Sequence, residues 1–248
     1  MNNFELERII NQLLESSKYS DYTVNGLQVQ GKDKIQKIVT GVTASQELID
    51  FAISVNADAI LVHHGYFWKG SDPRLTGYHY QRIAKLIKHD INLFAYHLPL
   101  DFNLELGNNV ELAKMFNLTN YSYSQDSKEI LICKTEELDV NEFVNLVEAK
   151  LGKKILHIGK NAKDKINTIG ICSGGGQGFI DQAYALGCDL YMSGEISEYT
   201  THSAVEQGIH YIAMGHHDSE RYGIKRLGEL LAEKYNFEVI FTDCPNPA

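Results

Sequence analysis

Apolar positions along the chain follow two alternating rhythms. Phe4, Ile9, Ile10, Leu13 and Leu14 recur at helical spacing, which predicts a helix over residues 3–17. "KIQKIVTGVT" (34–43) reads as a strand. "SQELIDFAISV" (45–55) reads as a helix with Ser45 at its N-cap, where a hydroxyl can accept from an otherwise unpaired amide. "ADAILV" (57–62) is a strand ending at His63, "YHYQRIAKLIKHD" (78–90) a helix, "INLFAY" (91–96) a strand and "GNNVELAKMFN" (107–117) a helix. "VNGLQVQG" (24–31) reads as a polar, glycine-containing turn. Alternating strands and helices imply a mostly parallel sheet flanked by helices.

The pattern then begins again. Strands are expected at "EILICKT" (129–135), "INTIGIC" (166–172), "CDLYMSGE" (188–195), "IHYIAMGHH" (209–217) and "FEVIFTD" (237–243). Helices are expected at "VNEFVNLVEAKLG" (140–152), "FIDQAYALG" (179–187), "EYTTHSAVEQG" (198–208) and "SERYGIKRLGELLAEKY" (219–235). Residues 37–65 can be laid over 167–195, and "DINLFAYHLPLD" over "GIHYIAMGHHDSE". The expected fold is α/β, with two similar, pseudo-duplicated lobes at 1–124 and 125–248. Polar clusters gather at strand C-terminal ends, where open α/β sheets place ligands, so a metal cleft between the lobes is expected.

Composition narrows the function classes. With 248 residues, 44% hydrophobic and 22% charged, the chain is long enough for one large or two modest globular domains. A formal charge of -9 provides no basic stripe for nucleic acid or an anionic membrane. Cys133, Cys172, Cys188 and Cys244 form no C-x-x-C pair, which argues for reduced thiols and against a zinc ribbon. The charged, amphipathic N-terminus is unlike a signal peptide, and no apolar run approaches the roughly 18 residues of a membrane span. A cytoplasmic location is expected.

The candidate chemistry sits in "ILVHHGYFWKG" (60–70), "YHLPLD" (96–101) and "GHHDSE" (215–220). His216 and Glu220 stand at i and i+4, on one face of a helix's first turn. Imidazoles and carboxylates without thiolates suit Fe, Zn, Mn, Co or Ni. His63, His64, Asp101, His216 and Glu220 exceed what one catalytic ion usually takes from protein. They suit two divalent ions about 3.5–4 Å apart with open positions for water. His97, Glu195 and Glu198 are candidates for proton transfer near neutral pH. The Gly174, Gly175 and Gly176 turn could admit a phosphate to backbone amides, although a tight structural turn explains it equally well. Asn25 and Gln28 are candidates to line the cleft. His79, His89, His157, His202 and His210 are assigned structural roles, and His217 is expected to turn away from the site.

"NGLQVQG", "GVTAS", "LVHHGYFWKG", "HLPLD…ELGNN", "CSGGG", "SGEISE" and "GHHDSERYG" occur together and in this order. Jointly they resemble the Nif-three-like family, also called GTP cyclohydrolase 1 type 2 homologues, in its short bacterial form. The resemblance implies a dinuclear centre on His63, His64, Asp101, His216 and Glu220, with Glu220 as the bridge, and a toroidal homohexamer. It also implies a small-molecule, nucleotide-like substrate and points to GTP ring opening by metal-activated water. A metal-dependent phosphoesterase and a non-enzymatic metal-binding scaffold are the alternatives. Many relatives begin the first motif with Asp-Asn-x-Gly. This chain keeps Asn25-Gly26 but spaces the aspartate differently, so Asp21 is not counted among the site residues.

Overall fold

In the computed structural model, which describes residues 1–248, the first helix stops short of its expected end. α1 spans Asn3–Leu13, because Glu15 takes a left-handed φ of 51° and a separate 3-10 turn follows at Ser16–Lys18. Its buried stripe is Leu6, Ile10 and Leu14, whereas Phe4 is exposed. The order continues with β1 (Gly26–Val29), β2 (Lys37–Thr43), α2 (Gln46–Ser54), β3 (Ala59–His64), α3 (Gly77–Lys88), β4 (Asn92–Ala95) and α4 (Leu98–Phe102). Next come α5 (Asn108–Met115), β5 (Asn120–Tyr123), β6 (Leu131–Asp139), α6 (Val140–Leu151), β7 (Leu156–Ile158) and β8 (Lys165–Cys172). α7 (Ile180–Ala185), β9 (Leu190–Ser193), α8 (Glu198–Gln207), β10 (His210–Ala213), α9 (His216–Tyr235) and β11 (Glu238–Phe241) complete the chain.

The chain divides into two units, Met1–Leu106 with Gly223–Pro245, and Gly107–Tyr222 with Asn246–Ala248. This differs from the expected break between 124 and 125. β11 pairs in parallel with β2, Val239 opposite Ile38, and so returns to the first sheet. α9 contributes its first turns to the second unit and the remainder to the first.

The first unit holds a sheet of order β1-β4-β3-β2-β11, parallel except for β1. The segment expected to be a turn at 24–31 is thus an antiparallel edge strand. Its four residues are too few and too mixed in polarity to show a period. Ile38, Leu61 and Phe94 face α1 and α9 on one side, and Val39, Ile60 and Leu93 pack with α2 and α3 residues on the other. Burial on both faces is what a parallel core strand requires.

The second unit's sheet has order β5-β6-β8-β9-β10-β7. Only the β8-β9 and β9-β10 pairs are parallel, so this sheet is mixed rather than mostly parallel. The physical reason is connection length. A short loop closes β5 onto β6 antiparallel, whereas a parallel partner needs a crossover helix.

The internal repeat is real down to single hydrogen bonds. The Asp58 carboxylate, just before β3, accepts the amides of Gln36 at 2.7 Å and Lys37 at 2.8 Å. The Asp189 carboxylate, just before β9, accepts those of Asn167 at 2.9 Å and Thr168 at 3.1 Å. The next strand begins on the same residue's carbonyl in both units, from Asn92 to Asp58 and from His210 to Asp189. By this register Glu195 occupies the place of His64. The helices after the third strands, α4 and α9, each carry a buried carboxylate, Asp101 and Glu220.

No helix is long and apolar enough to cross a membrane. Burial pushes the Cys133 and Cys188 thiols up to about 12. In the native protein both should resist a thiol-exchange reagent while half-exposed Cys244 reacts, and all four should react in denaturant. Rapid native modification of Cys133 or Cys188 would contradict this packing.

Candidate metal centre

The first unit gathers three imidazoles and a carboxylate at the C-terminal ends of β3 and β4. His63 is fully buried, and its Nδ1 donates to the Tyr96 carbonyl at 2.9 Å. A carbonyl can only accept, so Nδ1 carries the proton and Nε2 is the acceptor nitrogen. That Nε2 faces Asp101 Oδ1 at 3.4 Å, a pairing that a shared cation satisfies. His64 is held through Nδ1 by Thr43 Oγ1 at 3.1 Å. Its ring lies 4.5 Å from that of His63, so these sequence neighbours gather on one side where the strand ends, despite strand alternation. One ligand atom from each of His63, His64 and His97 falls within 4.8 Å of the others. His97, expected to act in proton transfer, is therefore grouped geometrically with the candidate ligands.

Asp21 holds His97. Its Oδ1 is 3.0 Å from His97 Nδ1, and its Oδ2 accepts from Asn25 Nδ2 and from the Leu98 amide, both at 2.9 Å. Asn25 Oδ1 accepts the His97 amide at 2.7 Å. Both ends of the Asn25 amide are thus occupied in positioning His97, and the expectation that it meets substrate gives way to a supporting role. Gln28 is likewise engaged, accepting the Tyr66 amide and donating to the Val24 carbonyl. Burial alone would raise the Asp21 carboxyl, but the bonds from His97, Asn25 and Leu98 outweigh it and hold the group at about 2. A lowered folded-state value means stability that is present above the ordinary carboxyl range and lost as pH falls toward about 2. Asp21→Asn should therefore destabilise the protein at pH ~6, and its deficit should narrow near pH ~3 in urea unfolding. An equal deficit at both pH values would contradict the arrangement.

The second unit carries its own cluster at the first turn of α9. His216 Nε2 lies 3.1 Å from Glu220 Oε2, and its Nδ1 lies 2.7 Å from Glu195 Oε1. Burial would lower the His216 value, but the Glu220 and Glu195 carboxylates overcome that and raise it to about 9. Glu195 thus orients His216. Glu198 is 93% exposed at the start of α8, 3.7 Å from His202, and is not part of this cluster. The structure thus does not group Glu198 with His216 and Glu220.

The glycine turn serves the carboxylate more directly than it serves an anion. Gly174 has φ +61°, and a Cβ built there would overlap Glu220 Oε1 and lie 3.2 Å from His216 Nε2. Its amide donates to Ser219 Oγ at 2.9 Å, so it is not offered to a phosphate. A Cβ on Gly176 would clash with Cys172, and the Gly176 carbonyl accepts from Tyr191 at 2.6 Å. Gly175 has no such crowding. His217 is buried and its amide donates to the Ala248 carbonyl at 3.2 Å, and His157 Nε2 lies 3.0 Å from His210 Nδ1.

All four imidazoles (63, 64, 97 and 216) are therefore held through Nδ1, by a carbonyl, a hydroxyl and two carboxylates. Metal-binding histidines are oriented in this way by their second nitrogen. His63, His64, His97 and Asp101 in the first unit, and separately His216 and Glu220 in the second, are donor types that suit divalent transition ions. Asp21 is the supporting residue that the sequence reading sets aside, and Glu195, expected to move protons, is found on His216 Nδ1. The i, i+4 spacing of Asp21 and Asn25 is the one local signal for the first, and the internal repeat placing Glu195 opposite His64 is the signal for the second.

The pattern of the Duf34/NIF3 (NGG1p interacting factor 3) family matches residues 1–247. A Haemophilus influenzae protein named GTP cyclohydrolase 1 type 2 homolog is 53% identical over 251 residues, with 100% of both chains covered. The solved structure of the protein ybgI, described as of unknown function, superposes with a TM-score of 0.96 at 47% identity over 100% of both chains. TTHA1606 from Thermus thermophilus gives 0.91 at 28% identity, again over 100% of both chains.

Proposed function

Because the chain belongs to the Duf34/NIF3 family, we propose that it is a dinuclear-metal-dependent hydrolase acting on a nucleotide-like substrate. The supporting observation is the uniform anchoring of four imidazoles through Nδ1, which leaves Nε2 of His63, His64 and His216 for a metal and Nε2 of His97 for proton transfer. In this reading His63, His64, Asp101, His216 and Glu220 would hold the pair of ions. Two divalent cations so held supply Lewis acidity and a water activated near neutral pH.

The chain's own residues do the rest. Asp21 keeps the proton on His97 Nδ1, so Nε2 can accept a proton from the attacking water and return it to the departing nitrogen. Glu195 keeps His216 in one tautomer and one orientation. For a guanine nucleotide, water adds at C8 of the imidazole ring and a C8–N bond opens, leaving a formamide on one nitrogen and a proton on the other. The name carried by the Haemophilus influenzae relative favours this substrate class. The same membership leads us to propose a toroidal homohexamer in the cytoplasm.

The test is turnover. Protein loaded in turn with Fe, Mn, Zn or Co is incubated with GTP, and loss of the purine absorbance is followed beside phosphate release. Ring opening that depends on metal is the expected result. Phosphate release without ring opening would transfer the site to phosphoester chemistry. Full metal loading with neither product would leave a metal-binding scaffold in place of an enzyme.

A further inference from the structure

Beside the imidazoles of the first unit lies a cavity of about 360 Å³ that no part of the metal set explains. It is lined by Asp21, Tyr22, Val24, Phe67, Trp68 and Lys69, among others. Its size falls in the range of small-molecule sites. Two segments build it. An antiparallel bridge joins Thr23 to Trp68, the Val24 amide donates to the Phe67 carbonyl at 3.3 Å, and the Lys69 amide donates to the Tyr22 carbonyl at 2.7 Å. The Trp68 indole N–H is fixed on the Gly65 carbonyl at 3.1 Å. The Tyr22 and Trp68 rings therefore stand on a hydrogen-bonded frame.

Those rings also meet the candidate centre. The Trp68 ring lies 4.9 Å from that of His97 and 5.9 Å from that of His64. The Tyr22 ring lies 5.0 Å from His97 and 5.8 Å from Trp68. Tyr22 and Phe67 are 53% and 40% exposed, an unusual outlay of aromatic surface beside a polar cluster. Aromatic faces next to a reactive centre suit a flat ring, because stacking needs no particular hydrogen-bond pattern and any nucleobase offers a π face. Lys69 on the rim adds a positive charge for a phosphate at the outer end.

We propose that the Tyr22–Trp68 cavity is the base-binding subsite, which stacks the planar purine of a nucleotide next to His64 and His97. This deepens the hydrolase reading and rests on it for the identity of the reacting ring. Tyr22 and Trp68 then determine ring specificity, while the metal set performs the chemistry.

Trp68 is the chain's one tryptophan, so its emission reports the cavity directly. Metal-loaded protein is titrated with GTP, with guanosine and with inorganic tripolyphosphate. GTP and guanosine should quench Trp68 saturably, and tripolyphosphate should not. Tyr22→Ala should weaken guanosine binding about tenfold, the worth of one base–aromatic stack, and Tyr22→Phe should restore it. Quenching by tripolyphosphate equal to that by GTP, or guanosine affinity unchanged in Tyr22→Ala, would overturn the subsite. Metal content and turnover are read on the same samples. Saturable guanosine quenching without turnover would remove the hydrolase reading and keep the ring pocket. Turnover with an unchanged KM in Tyr22→Ala would do the reverse.

Discussion

Replacing Asp101 with alanine is expected to lower nucleotide turnover about a thousandfold and to halve the bound metal. The figure follows from the several kcal/mol that a bound cation contributes to charge stabilisation, at ~1.4 kcal/mol for each tenfold. Asp101 is buried on α4, where its own amide and that of Leu100 donate to the His97 carbonyl. Its place on the first turn of α4 is therefore set by the backbone. The alanine also removes the carboxylate that lies 3.4 Å from His63 Nε2. Elemental analysis of the purified variant and the GTP assay check both halves of the expectation. Full metal content with wild-type turnover would remove Asp101 from the site.

Gly174→Ala should produce the second-largest effect without touching any donor atom. The methyl group would occupy the space of the Glu220 carboxylate, which is almost fully buried and pinned against His216. Displacing it should weaken metal affinity about 10–100-fold, the usual cost of disturbing a ligand's support. The left-handed backbone adds roughly 1–2 kcal/mol of instability. Gly187→Ala is the control, since Gly187 has φ +78° but nothing within 4 Å of a new Cβ. It should carry the backbone cost alone, seen in urea unfolding, and leave chelator competition for the metal unchanged. Equal metal affinity in both variants would mean that the Gly174 turn does not cradle Glu220.

Much of this arrangement could be read from the residues because it is built on periodic elements. Ser45 caps α2 as its position suggested, accepting from the Leu48 amide at 3.2 Å. β3 ends on the paired histidines, and His216 and Glu220 share a helical face as their spacing required. Some short segments escaped because three to five residues show no period and no αβ alternation pointed to them. β1, β5, β7 and α4 are of this kind, and β1 carries the Gly26 turn that brings Asn25 toward His97. The supporting shell escaped for a different reason. Asp21 reaches His97 across 76 positions of sequence, a contact fixed only when β1 and β4 pair. Gly174 looked like an anion cradle because its conformation is the same in either role. Only the placement of Ser219 and Glu220 distinguishes a turn that receives phosphate from one that makes room for a carboxylate.

The central proposal is that His63, His64, Asp101, His216 and Glu220, far apart in the chain, hold one pair of ions. Electron paramagnetic resonance of the protein loaded with Mn(II) tests it most directly, because two ions bridged by a carboxylate couple their spins. The account predicts an exchange-coupled signal from two ions per chain that collapses in both Asp101→Ala and Glu220→Gln. Two independent, uncoupled manganese signals, or a coupled signal that survives either substitution, would contradict it.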